Sequence, residues 1–128
     1  MKDFCVEQKN NNPENPALIG EMLGAAGVNI EGLCLTTFEE LSVIHFVVED
    51  AVTARRVLEN SGIKIRDVSE VFVLSKDQKR ITGKPGFFGE ICRTPADHGF
   101  RINFGYPAEN NRFVFGVDDL AKARELLE

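Results

Sequence analysis

A repeat with a period of sixty-nine residues constrains this chain more than any other feature. Pro16, Gly20 and Glu21 in NPALIGEM recur as Pro85, Gly89 and Glu90 in KPGFFGEI. Further along, Phe46, Val48, Asp50, Ala54, Arg55, Leu58 and Glu59 recur at the same spacing as Phe115, Val117, Asp119, Ala123, Arg124, Leu127 and Glu128, with Glu49 matched by Asp118. Between these anchors Gly27-Val28-Asn29-Ile30 pairs with Gly99-Phe100-Arg101-Ile102 at a spacing of 72, and the three extra residues are lost again at the following turn. Insertions and deletions at a helix end and at a hairpin turn are what two copies of one fold tolerate. The 128 residues are therefore expected to divide into a first domain over 1–69 and a second over 70–128.

Within the first copy, residues 2–7 alternate, with Phe4 and Val6 on one side and Asp3, Cys5 and Glu7 on the other, as in a strand with one buried face. A polar run over Gln8–Asn15 precedes Pro16, which suits a first helical turn because its missing N–H has no helical partner there. Leu18, Ile19, Met22, Leu23 and Ala26 then form one apolar stripe, closed by Gly27. Residues 28–37 and 41–48 read as an antiparallel hairpin, Asp50 as the cap of a second helix, and 63–68 as a closing strand. In the second copy the corresponding elements fall at 71–74, 85–96, 101–106, 112–117 and 119–127, and no final strand follows. The expected fold class is α+β: two ferredoxin-like units, βαββαβ then βαββα, with antiparallel sheets covered by helices on one face. A sheet lacking its last strand leaves an edge position open, which is a reason to expect an oligomer.

Composition narrows the function classes. A net charge of −5 disfavours a nucleic-acid partner, because that affinity rests on cations neutralising phosphates. No segment has the length or apolarity of a membrane span or a secretory h-region, so no membrane partner is expected and the chain reads as cytoplasmic. Cys5, Cys34 and Cys92 form an odd set without CxxC spacing and read as small buried apolar groups in a reducing compartment.

The run NPENPALIGEMLGAAGVNIEGLC, Asn12 to Cys34, resembles the ACT domain family, in which a polar loop and a Pro-led helix precede an alanine-glycine turn and an extended VNI-type strand. The resemblance is weaker in the second copy, where residues 81–86 stand for the loop and Gly99-Phe100-Arg101-Ile102 for the GVNI segment. It implies an amino-acid effector held between paired ACT domains, by the loop after the first strand and the start of the second. By position, the ligand-binding candidates it implies are Asn12, Glu14, Asn15, Pro16, Ala17, Leu18, Asn29 and Ile30. The chemistry is consistent, since asparagine amides and N–H groups at a helix start offer donors and acceptors to an α-amino acid, and Glu14 could face its ammonium. In the second copy Gly83 and Arg101 replace Glu14 and Asn29, so that site would have lost its ammonium acceptor and gained a cation.

No catalytic constellation stands out. His45 falls in a strand and His98 near a helix C-terminus, neither at catalytic spacing from a cysteine, serine or carboxylate. There is no metal motif and no cofactor motif, and Gly20, Gly24 and Gly27 read as positions of close packing on the sheet. The expectation is a non-enzymatic regulatory protein that binds a small molecule, an amino acid, as a homodimer without cofactor. The alternative is a ligand-free interaction subunit that docks on a metabolic enzyme.

Overall fold

A computed structural model describes residues 1–10 and 12–128. Among the described residues the fold is α+β, with antiparallel strands and four helices, and the chain divides into two compact units, Met1–Ser69 and Glu70–Glu128.

The first unit contains β1 (Lys2–Lys9), α1 (Glu14–Ala25), β2 (Gly32–Phe38), β3 (Leu41–Val48), α2 (Ala51–Asn60) and β4 (Ile65–Glu70), with strands in the order β4-β1-β3-β2. Phe4 pairs with Phe46 and Val6 with Ile44 across β1 and β3, and these side chains pack with Ile19, Leu23, Ala54 and Leu58 from the two helices. The Phe4 and Phe46 rings stack at 5.4 Å. The alternation expected for β1 is present, but its second face is not solvent-facing: Asp3 and Cys5 are both buried.

The second unit contains β5 (Phe72–Ser75), α3 (Phe87–His98), β6 (Ile102–Ala108), β7 (Arg112–Val117) and α4 (Leu120–Leu127), with strands in the order β6-β7-β5. Phe72, Leu74, Phe115, Ala123 and Leu127 form its core. On the opposite face of β7, Gly116 lies under the Phe104 ring of β6, and a Cβ at this glycine would fall 2.1 Å from Phe104 Cε1.

The sequence repeat has physical counterparts. Asp50 accepts the Thr53 N–H at 3.0 Å and Asp119 the Lys122 N–H at 3.0 Å, so each caps a helix start. One turn further, Ala54 and Ala123 are fully buried, where a larger side chain would hold the helix off the sheet.

Several boundaries differ from the sequence expectation. Pro16 lies in the first turn of α1 as expected, and the helix begins two residues before it at Glu14, because Pro13 has φ −64° and Asn12 Oδ1 accepts the Glu14 N–H at 3.0 Å. Strand β2 starts at Gly32 rather than Val28: Val28 N–H donates to Leu23 O in closing α1, and pairing begins only with Glu31 N–H to Val47 O. Helix α3 starts at Phe87, leaving Pro85 outside, because Gly86 turns the chain at φ +83°. The α1 stripe is narrower than the spacing suggests, for Ile19 and Leu23 are buried whereas Leu18 is 46 % exposed and Ala26 is exposed. Gly20 and Gly24 do not serve close packing either, since a Cβ at either would meet no heavy atom within 4 Å. Gly27, at φ +77°, does end the helix in the left-handed conformation.

Candidate functional site

The start of α1 is organised by one residue. Asn12 Oδ1 takes the Glu14 N–H, Asn12 O takes the Asn15 N–H at 3.1 Å, and Pro16 has no N–H to offer. The first three positions of the helix are thus without an available donor, so this terminus is not the anion cradle that helix starts often provide. The Glu14 carboxylate, exposed in the first turn, adds a negative charge there. That carboxylate offsets the partial positive charge of the helix N-terminus.

Behind this polar start lies a small apolar cleft. Pro16, Ile19 and Gly20 from α1, Ile30 from the connection to β2, Leu33 from β2 and Ile44 from β3 enclose about 40 Å³. No lining side chain carries a hydrogen-bonding group. Of the eight residues singled out from sequence, Pro16 and Ile30 meet here. Asn12, Glu14, Ala17, Leu18 and Asn29 lie exposed outside it, and Asn15 is half-buried in the first turn. Asn29 stands in the extended connection ahead of β2 rather than in a strand.

One residue near the cleft was not legible in sequence. Gln8 shares the helix-facing side of β1 with Phe4 and Val6 by alternation, and it pairs with Ser42, one same-face row from Ile44. Its Oε1 is buried and has no hydrogen-bond partner among the described residues. In the sequence it reads only as the first residue of a polar run.

The matching loop of the second unit is closed on itself. Asp77 Oδ1 accepts from Thr82 Oγ1 at 2.9 Å and from Asn111 Nδ2 at 2.6 Å, and Lys76 N–H donates to Asn111 O at 3.0 Å. The Asn111 and Thr82 hydrogen bonds hold the Asp77 carboxyl below the usual carboxylate range. Lys76 Nζ sits 5.6 Å above the Phe87 ring, Lys84 pairs with Glu90 at 3.2 Å, and Ile81 is buried. Gly83 leaves no side chain to face a ligand, and Arg101 is exposed with its N–H on Asp118 Oδ1 at 2.7 Å.

The other titratable residues are placed as follows. On the face of the first sheet away from the helices, Cys5, His45 and Cys34 occupy one row across β1, β3 and β2. His45 Nδ1 donates to Asp3 Oδ2 at 2.8 Å. Burial, with the Asp3 carboxylate second, pushes the Cys5 thiol pKa up, away from the reactive thiolate. His98 Nδ1 donates to Thr94 O at 2.9 Å at the end of α3. Among the described residues no group of three or more His, Cys, Asp or Glu is placed to hold a metal ion, and no helix is long and apolar enough to cross a membrane.

No family model matches the sequence, and no curated protein matches it. Solved structures share its fold over nearly its whole length. Protein BT0572 from Bacteroides thetaiotaomicron is 18% identical, with a TM-score of 0.78 over 97% of this chain and 83% of that one. The regulatory subunit of aspartate kinase from Thermus thermophilus, in a ligand-free form, is 13% identical, with a TM-score of 0.69 over 99% of this chain and 92% of that one. A structure of aspartokinase alpha and beta subunits is 16% identical, with a TM-score of 0.67 over 98% and 93%. At these identities the likeness is one of fold.

Proposed function

We propose that this chain is a non-catalytic regulatory protein of two ferredoxin-like ACT-type domains, 1–69 and 70–128, which binds an amino acid at the α1 start of the first. The observation that carries this reading is the apolar cleft of Pro16 and Ile30 behind the polar first turn of α1. The shared fold with the regulatory subunit of aspartate kinase supports it. The second domain is proposed to bind no ligand at its own loop, because Asp77, Thr82 and Asn111 satisfy one another there. The assembly expected from this reading is a cytoplasmic homodimer that needs no cofactor. A thermal-shift screen against the twenty amino acids tests it. Ligand at a hundredfold its Kd stabilises by about 2.7 kcal/mol, a readily measured rise in melting temperature. A flat response to all twenty at millimolar concentration rules the reading out.

A second reading rests on exposed apolar side chains of β2. Leu33 and Leu35, on one face of the strand by alternation, are both exposed. A ligand-free subunit that docks on a metabolic enzyme through this strand would use them. Stable capture of such an enzyme without any added amino acid favours that reading over the first.

A further inference from the structure

We propose that the outer edge of β5 is the contact between two copies of this chain, paired antiparallel about a twofold axis at Val73; this rests on the homodimer named above and not on amino-acid binding. In the second unit β5 pairs with β7 on one side, and among the described residues no strand lies on its other side. The direction of its backbone groups follows from the ladder. Lys76 N–H donates to Asn111 O at 3.0 Å, one step beyond the Ser75–Arg112 pair, and hydrogen-bonded pairs alternate along antiparallel strands. Phe72, Leu74 and Lys76 therefore turn their N–H and C=O groups towards β7, and Val73 and Ser75 turn theirs outward. Ser75 O agrees, since it accepts the Lys79 N–H at 3.1 Å outside the ladder. The Val73 N–H and C=O and the Ser75 N–H are left along the edge.

Edge strands that stay uncovered are commonly guarded by charge or proline. β4, an edge strand of the first unit, carries Arg66 and Asp67, whereas β5, Phe72-Val73-Leu74-Ser75, carries neither charge nor proline. A groove of about 270 Å³ follows β5, lined by Phe72, Val73, Leu74 and Leu127 together with Lys79 and Glu128. The charges flanking the strand fit a second copy. Glu70 lies two residues before Phe72 and Lys76 two after Leu74. Both side chains reach the helix side, Glu70 to Arg124 of α4 at 3.8 Å and Lys76 to the Phe87 ring of α3 at 5.6 Å. With Val73 opposite Val73 of the other copy, these two residues exchange N–H···O bonds, Phe72 faces Leu74, and Glu70 faces Lys76, each twice by symmetry. Opposite charges thus meet at both ends of an apolar pair of strands. An unrelated strand would have to bring that pattern; a second copy has it by symmetry.

Sedimentation equilibrium of the full chain at rising concentration tests the assignment, with circular dichroism as the check on each variant's fold. The parent is expected to dimerise. Val73→Pro deletes an outward N–H and leaves the β7 ladder whole, so the dissociation constant of the dimer is expected to rise about tenfold or more. Lys76→Glu and Glu70→Lys each set like charges opposite one another, and each is expected to weaken the dimer by a similar factor. Mixed in equal amounts, those two variants restore opposite charges at both ends and are expected to form a mixed dimer as tight as the parent's. The charge variants decide the question even where proline unfolds the chain. A parent that stays monomeric at every concentration overturns the assignment and the homodimer with it. A dimer that the charge variants leave unchanged, and that mixing does not favour, overturns the assignment alone. Amino-acid binding, read by the thermal-shift screen, stands or falls separately from both results.

Discussion

His45 Nδ1 donates to Asp3 Oδ2 at 2.8 Å, joining β3 to β1 through a carboxylate that is 1 % exposed. A carboxylate only accepts, so this contact places a hydrogen on the imidazole Nδ1. It also accounts for an acidic residue among the buried positions of β1. Truncating one member leaves the other desolvated without this partner. Asp3→Ala is expected to destabilise the protein by about 1–3 kcal/mol, and Asp3→Asn, which keeps an acceptor, by less. Urea unfolding followed by circular dichroism measures both, and equal losses would mean that the hydrogen bond contributes nothing.

Gly116 is required by the Phe104 ring. Gly116→Ala places a methyl where the ring lies, and the expected cost is about 1–3 kcal/mol of overpacking. The same substitution in a Phe104→Ala background should cost little, so a double-mutant cycle should show strong coupling between the two positions. Additive losses would indicate that the glycine serves backbone freedom and not the aromatic contact.

The helix cap at Asp50 and the loop clasp at Asp77 set an acid limit. Hydrogen bonds from Thr53 at Asp50 and from Asn111 and Thr82 at Asp77 lower both folded-state pKa values. Each carboxylate therefore contributes stability above its unfolded value, roughly 3.9, and loses it as pH falls through the folded one. Asp50→Ala and Asp77→Asn should each lower the melting temperature at pH 7, with the difference from the parent shrinking towards pH 2. A difference that stays constant with pH would show that neither charge matters.

The cysteines should be unequal towards alkylation. Burial raises the pKa of both Cys5 and Cys92, and Cys5 is 7 % exposed. Iodoacetamide at pH 7.5, read by peptide mass spectrometry, is expected to modify Cys5 last, and only as fast as the protein unfolds. Rapid labelling of Cys5 in the folded state would mean that β1 opens locally.

Much of the fold was legible in the chain because it depends on local chemistry repeated twice. Asp50 and Asp119 cap helices through N–H groups three residues away, and Gly27 ends α1 because it can take a positive φ. Apolar alternation put Phe4 and Val6 on the buried face of β1 without reference to any partner, and both lie in the first core. What depends on distant residues was not legible. Asp3 reads as an outward strand residue until His45, forty-two positions on, receives it, and Asp77 reads as a loop residue until Asn111, thirty-four positions on, clasps it.

The candidate site divides along the same line. Composition and motif marked the segment around Asn12 to Leu18 and the run through Asn29 and Ile30, but hydrogen bonding decided what that segment can offer. Asn12 caps the helix it precedes, so its oxygen and the first N–H groups face each other instead of a ligand. Packing decided the rest: Pro16 and Ile30 close a cleft with Ile44, Leu18 turns to solvent, and Gln8 is left with a buried oxygen. Strand alternation and helix caps follow from each residue and its near neighbours, whereas a cleft or a clasp exists only where elements far apart in the chain are brought within a few ångströms.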